Sequence, residues 1–275
     1  MPPLRFVLSG GSAKGVLEGA GALNAVFDRG NTIAVGAGTS AGGIILGALA
    51  AGKSPKEIRE IALAVDFSKF ISTGFWSWLR VIRTGSLSDG KELLKFLEGL
   101  TGGKRFKDAG FDARLTGADY TYGKPAVFSR DLTPEMPIAL AMRITSCIPL
   151  GFSSVEWKGS WFKDGGVYAH VPVEASRDPY RTVIFALAHG HDGRPEKADW
   201  SADPGLLKEV ERTVDLLIDA NVHEELAKAP PDAVRVFSDA LGFGTFKFDF
   251  STSEKEALYK HGYDLMAKAL GEAGL

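Results

Sequence analysis

Val35-Gly36-Ala37-Gly38-Thr39-Ser40-Ala41-Gly42-Gly43 is an apolar run that breaks into a glycine-flanked turn at Ser40. A strand that ends in such a turn and passes straight into a helix lifts one serine hydroxyl clear of the backbone and sets it at the helix N-terminus. Gly38 and Gly42 flank the serine, and a side chain at either position crowds so tight a turn. Ser40 is therefore read as a nucleophile, and its surroundings are searched for what a nucleophile needs.

Upstream, 5–8 reads as a short buried strand that ends in Ser9-Gly10-Gly11-Ser12-Ala13-Lys14-Gly15, with a helix expected from Val16 to about Arg29. Gly19 and Gly21 inside that helix point to close packing against a neighbouring strand. Thr32–Ala37 forms the next strand and Ala41–Ala51 the next helix, and alternation of this kind indicates a parallel α/β sheet. Ser54-Pro55-Lys56-Glu57 is a capping box with proline at the first helical position. Further on, 113–118 and 126–129 read as paired strands, 136–146 as a helix and 153–157 and 160–162 as strands. After these come a strand at 182–188, a long amphipathic helix at 204–227, a strand at 233–237, and a last helix capped by Ser253-Glu254-Lys255-Glu256.

Acyl transfer from an ester takes a nucleophile, a base for its proton, and donors aimed at the oxyanion. Gly10, Gly11, Ser12, Ala13, Lys14 and Gly15 form a glycine-rich loop before a helix, a place where free amides gather. A phosphate-binding P-loop is excluded because Lys14 precedes Gly15 and Val16 follows it. A dinucleotide fingerprint fails because Ser12 stands where its middle glycine belongs. An oxyanion hole remains, with the amides of Gly11 and Ser12 as donors. Lys14 reads equally as a solvated lysine or as an oxyanion contact. Asp164, followed by Gly165 and Gly166, is a carboxylate able to approach another loop closely, although a plain turn gives the same pattern.

Together these three motifs resemble the patatin-like phospholipase family. Arg143-Ile144-Thr145-Ser146-Cys147-Ile148-Pro149 and Gly262-Tyr263 extend the resemblance over most of the chain. It implies an α/β fold of three layers, α/β/α, with a mostly parallel central sheet, as one domain over 1–275. It also implies a Ser–Asp dyad without histidine, with Ser40 as nucleophile and Asp164 as base. The family loop commonly reads Gly-Gly-Gly-x-(Arg/Lys)-Gly. Here Ser12 replaces the third glycine, which costs strain if φ is positive there.

A net charge of −2 gives no support for a nucleic-acid partner. Cys147, the one cysteine, reads as a small core residue, and an intramolecular disulfide is excluded. The apolar stretch 34–52 is interrupted by Gly36, Gly38, Gly42, Gly43 and Gly47 and reads as buried strand plus buried helix, so no transmembrane segment is expected. No signal peptide is read at the N-terminus; the expected location is cytoplasmic or peripheral membrane, with export without a cleavable signal peptide left open. His189-Gly190-His191 lacks companions for a metal, so no metal or cofactor is expected. The stretch 67–88 holds Phe75, Trp76 and Trp78 with cations and no carboxylate, and is expected to act either as a lid or membrane contact or as a buried cover for the sheet. His170 reads as a polar residue satisfying loop carbonyls.

The resulting expectation is a calcium-independent lipid acyl hydrolase, with lipid as substrate and transient contact with membrane. Two rivals stay open. One is an α/β-hydrolase esterase with a Ser-Asp-His triad drawing on His189, His191, His223 or His261. The other is a catalytically weak lipid- or partner-binding module.

Overall fold

The structure, a computed structural model, describes residues 3–71, 81, 83, 85–175, 178–188, 216, 220–245 and 247–275. β1 (Leu4–Leu8) leads into α1 (Ser12–Asp28), and β2 (Ile33–Gly38) into α2 (Ala41–Ala50). α3 (Pro55–Ala64), β3 (Ser86–Ser88) and α4 (Lys91–Thr101) follow. Next come the hairpin β4 (Asp112–Asp119) and β5 (Lys124–Phe128), then α5 (Ile138–Thr145), β6 (Leu150–Phe152), β7 (Val155–Trp157) and β8 (Ser160–Asp164). β9 (Arg181–Leu187), a helical segment at 220–227, β10 (Val234–Ser238) and α6 (Thr252–Glu272) complete the order.

Five strands in the order β10-β9-β1-β2-β4 run parallel, and β8, β7 and β5 add antiparallel pairings around β4. β3 and β6 form a separate parallel pair. Strand side chains alternate between two cores, as a period of two requires when both faces are covered. Leu4, Phe6 and Leu8 of β1 join Leu17, Leu23, Ile45 and Leu258 on one face, while Val7 joins Ile184, Val222 and Leu226 on the other. The expected layers, α/β/α, are therefore present.

Two local expectations need correction. The first helix begins at Ser12 rather than Val16, so the second half of the glycine-rich loop is helix. Sequence alone hides this, because Ser12 and Gly15 look like loop residues while the helical hydrogen bond from the Gly15 amide to Gly11 O is already made. The last helix is capped by Ser251, not Ser253, with Glu254 closing the box. The Ser54–Glu57 box stands as expected.

A third correction concerns Gly19 and Gly21, whose neighbours are helices and not a strand. A methyl group at Gly21 would lie 2.1 Å from Tyr259 O, and one at Gly262 would lie 2.2 Å from Glu18 O. α1 and α6 thus cross backbone against backbone. At Gly19 the neighbour is Ile45 of α2. Beside the crossing, the wholly buried Glu18 meets His261 Nδ1 through Oε1 at 2.7 Å, which raises the imidazole pKa.

Part of the expected lid segment is described and part is not. Phe67 is buried and Phe70 packs on Phe96 of α4, so this end covers the core. Phe75, Trp76 and Trp78 lie outside the described residues, as do His189, His191 and most of 204–227. The apolar run 34–52 folds as strand and helix, and among the described residues no helix is long and apolar enough to cross a membrane.

Candidate active site

The parallel strands of an α/β sheet bring functional loops together at their C-terminal ends. Ser40 follows β2, the loop Ser9–Gly11 follows β1, and Ala188 and Ser238 mark the ends of β9 and β10. Asp164 closes β8, which runs antiparallel to β4 with Asp164 opposite Gly117.

Ser40 has φ 53° and ψ −116°, a strained backbone for a residue with a side chain. Two sets of contacts hold it there. The Thr39 amide donates to Leu8 O at 3.2 Å and the Gly42 amide to Ser9 O at 3.1 Å, fixing the turn to β1. The Ser40 amide donates to Thr145 Oγ1 at 2.9 Å. Thr39 Oγ1 donates to Ala169 O at 2.7 Å and shares a hydrogen bond with Thr116 Oγ1 at 2.7 Å. Glycine is required at both flanks, since a methyl at Gly38 would lie 2.6 Å from the Gly42 backbone and one at Gly42 would lie 2.4 Å from Leu8 O. Thr39 and Thr145 stand inside the motifs read from the sequence and Thr116 outside them, and no local pattern reveals these hydroxyl contacts across the chain.

Asp164 is buried, its carboxylate accepts from the Gly166 amide at 2.7 Å, and the Ser40 side chain lies close enough to favour its charged form. Burial pushes its pKa up to about 7, against the opposing pull of the Gly166 amide and the Ser40 side chain. Gly165 lies so close to Thr116 that a methyl there would fall 2.1 Å from Oγ1. The structure thus brings together the two residues expected to form the dyad, 124 positions apart in sequence.

The glycine-rich loop divides by function. The Gly10 amide donates to His170 O at 3.0 Å and the Gly15 amide to Gly11 O at 2.9 Å, so both are already engaged within the fold. The amides of Ser12, Ala13 and Lys14 belong to the first turn of α1, where no intrahelical acceptor exists. Gly11 has φ 155° and Ser12 has φ 57°. Ser12 therefore occupies the left-handed region that its missing glycine would tolerate, and its Oγ is buried without a hydrogen-bond partner. Lys14 is not a solvated lysine: it is buried and its Nζ donates to Phe243 O.

Replacing Ser12 with Gly removes a left-handed cost of about 1–2 kcal/mol and an orphaned hydroxyl, against about 0.5–1 kcal/mol of added freedom in the unfolded chain. The Ser12→Gly protein is expected to melt higher than wild type by calorimetry; a lower melting temperature would count against strain at this position.

Histidines hold other places. His170 donates its backbone amide to Asn221 Oδ1 at 2.6 Å, and its ring packs against Gly10 and Gly166. His223 is exposed, and His261 is engaged with Glu18. Cys147 is buried, with Sγ 3.1 Å from Ser153 O.

Two cavities meet at Ser12 and Ser40. One is a narrow apolar slot of about 80 Å³ between α2, α3 and α4, walled by Ile44, Ile45, Ile58, Leu93, Phe96 and Leu97. The other, of about 520 Å³, opens past Asp164 and His170 and is lined with polar groups from Asn221, Glu224, Ser238 and Asp239. Tyr120, at the end of β4, lines it too and was not anticipated from the sequence. Among the described residues no group of three or more His, Cys, Asp or Glu side chains is arranged to hold a metal.

This is an α/β protein that presents a serine beside a buried carboxylate, between an apolar slot and a larger cavity of mixed lining. A family model for the patatin-like phospholipases matches residues 6–176, and the chain belongs to the patatin-like phospholipase family. It is 31% identical over 214 residues to the YqhO protein of Bacillus subtilis, covering 70% of this chain and 73% of that one. It is 26% identical over 205 residues to "Probable lipid hydrolase 463L" of Invertebrate iridescent virus 6, covering 71% and 67%. Among solved structures it resembles VipD of Legionella pneumophila, with TM-score 0.60, 14% identity, and 98% of this chain matched to 67% of that one. The type III effector ExoU of Pseudomonas aeruginosa matches with TM-score 0.55 and 19% identity, and here the chain spans only 53% of its neighbour. The family and the viral relative support lipid hydrolase activity.

Proposed function

We propose that this chain is a calcium-independent lipid acyl hydrolase of phospholipase A type, cleaving phospholipid or acylglycerol esters through a Ser40–Asp164 dyad. The observation that carries the reading is the placement of the Ser40 side chain beside a buried carboxylate whose pKa is pushed up to about 7. A carboxylate at that pKa is ionised in part at neutral pH and basic enough to take a proton in the transition state. Ser40 Oγ attacks the ester carbonyl carbon as its proton passes to Asp164. The amides of Gly11 and Ser12 receive the oxyanion, at the positive end of α1. Collapse expels the alcohol, which takes the proton from Asp164 and leaves an acyl group on Ser40. Water, deprotonated by the same carboxylate, releases the fatty acid and restores the serine. The apolar slot accepts the acyl chain and the larger cavity, with Asn221, Glu224, Ser238 and Asp239 in its wall, the alcohol portion.

Incubation with mixed bilayer lipids tests this directly. Wild-type protein is expected to release free fatty acids with or without a calcium chelator, and Ser40→Ala to release none above background. Labelling by a fluorophosphonate is expected to require Ser40. Equal release by wild type and Ser40→Ala overturns the reading, and leaves the rival of a binding module.

A further inference from the structure

Leu150 and Leu241 share three properties. Each is exposed, at 43% and 44%. Each has positive φ, 65° and 52°, where a leucine is strained. Each follows directly on a residue that lines the larger cavity, Pro149 and Ala240. A protein tolerates such strain when its surroundings fix the conformation, and the strain clusters where the conformation is used. Glycine or asparagine suits these positions better on backbone grounds, and a polar residue suits them better on solvation grounds. Leucine is wrong twice for the folded protein in water.

The same end of the sheet carries other exposed apolar groups. Tyr120 lines the cavity and is 48% exposed, Val167 lines it and is 44% exposed, and Trp161 is 50% exposed. The Tyr120 amide donates to Trp161 O at 2.8 Å, placing the two side by side. Tyr and Trp combine an apolar body with a polar tip and favour the boundary between water and hydrocarbon. Exposed lysines flank them: Lys124 Nζ stands 5.2 Å from the Tyr122 ring and Lys158 Nζ 4.8 Å from the Trp157 ring. Long aliphatic stems of this kind lie along apolar surface and carry their charge outward to the level of lipid phosphates.

We infer that the mouth of the larger cavity is a docking surface for a zwitterionic lipid–water interface, into which Leu150 and Leu241 insert with Tyr120, Trp161 and Val167 around them. The occupant follows from continuity with the cavity: a lipid ester leaving a bilayer for Ser40 must cross this rim. To that extent the inference rests on the lipid hydrolase reading. With a net charge of −2 and acidic Glu224 and Asp239 lining the cavity, apolar insertion and not attraction to anionic lipid supplies the binding.

The test is sedimentation with phosphatidylcholine vesicles, using wild type, Leu150→Gly, Leu241→Gly and the double variant. Each substitution relieves a strained backbone, so the variants are expected to melt at or above the wild-type temperature. Each is also expected to weaken vesicle partitioning about tenfold, since each removes an aliphatic side chain from hydrocarbon. Turnover of a soluble short-chain ester is expected to stay unchanged. Opposed movement of stability and partitioning is a signature that a purely structural role does not produce. Leu150→Asn and Leu241→Asn, which also accept positive φ, replace the glycine pair if that pair folds poorly. Wild-type partitioning in the double variant overturns the inference. So does loss of soluble-ester turnover in parallel with vesicle binding, or binding that requires anionic lipid and disappears in high salt. Partitioning is read without turnover. Leucine-dependent binding by a protein that cleaves no ester sustains the surface and refutes the hydrolase reading.

Discussion

Asp164→Asn is expected to lower ester turnover by about 10³-fold while making the protein more stable, and both effects come from one carboxyl group. Asparagine keeps an oxygen to accept from the Gly166 amide, so the turn at Gly165–Gly166 survives. It has no basic oxygen for the Ser40 proton, and turnover is lost. His170, His223 and His261 are expected to be replaceable without loss on that scale. Any one of them proving as damaging as Asp164→Asn restores the triad rival.

The stability gain depends on pH in a defined sense. Burial raises the Asp164 pKa from 3.8 to about 7 in the folded chain. Between those values the unfolded chain has released its proton while the folded chain retains it, so wild-type stability falls as pH rises through this window. The penalty is absent below about pH 4 and complete above about pH 7, where it is on the order of 4 kcal/mol. Asparagine carries no such penalty. The difference in melting temperature between Asp164→Asn and wild type should therefore grow from pH 4 to pH 7 and then level off, reaching on the order of 10 °C. A difference that shrinks with rising pH would show that Asp164 is not held protonated by burial. Turnover should run the opposite way, falling below pH 7 as the base is neutralised.

Gly262→Val is expected to unfold the protein. Even a methyl group at Gly262 would sit 2.2 Å from Glu18 O, a backbone atom that no rotamer change can move aside. The two helices would have to separate, opening a seam that buries Leu258 and Met266 of α6. A loss of at least about 4 kcal/mol is expected from overpacking and lost burial together. The same helix supplies a control. A methyl at Gly271 would meet only the Arg29 guanidinium, at 3.6 Å, so Gly271→Ala should be neutral or mildly stabilising. Denaturant unfolding of both variants checks the contrast. Equal stability in the two would show that the crossing tolerates a side chain.

Where the sequence was legible, local chemistry was the reason. The alternation of strand and helix around Ser40, the Ser54–Glu57 box and the Gly38 and Gly42 flanks are short-range patterns with few alternative meanings. The helix crossing was half legible. Gly19 and Gly21 announced that something approaches closely, but period and composition carry no information about which distant element does so, and helices stood where a strand was expected. Long-range polar contacts were illegible for the same reason. Thr145 lies 105 residues from the Ser40 amide it accepts from, and Lys14 lies 229 residues from Phe243. The substitution at Ser12 was visible in the sequence, yet its φ was not. Only the folded backbone shows that the serine sits in a glycine's conformation.

The meeting of the two cavities at Ser40 has an orienting consequence for any long molecule with one wet end and one oily end. Turned the wrong way round, its charged terminus would lose water against Ile44, Leu93 and Phe96, which return no hydrogen bond. Its tail would meanwhile displace water from the carboxylates of Asp164, Glu224 and Asp239 on the other side and give them no hydrogen bond in return. The two ends are told apart by solvation alone, so the linkage between them arrives at the serine already facing one way.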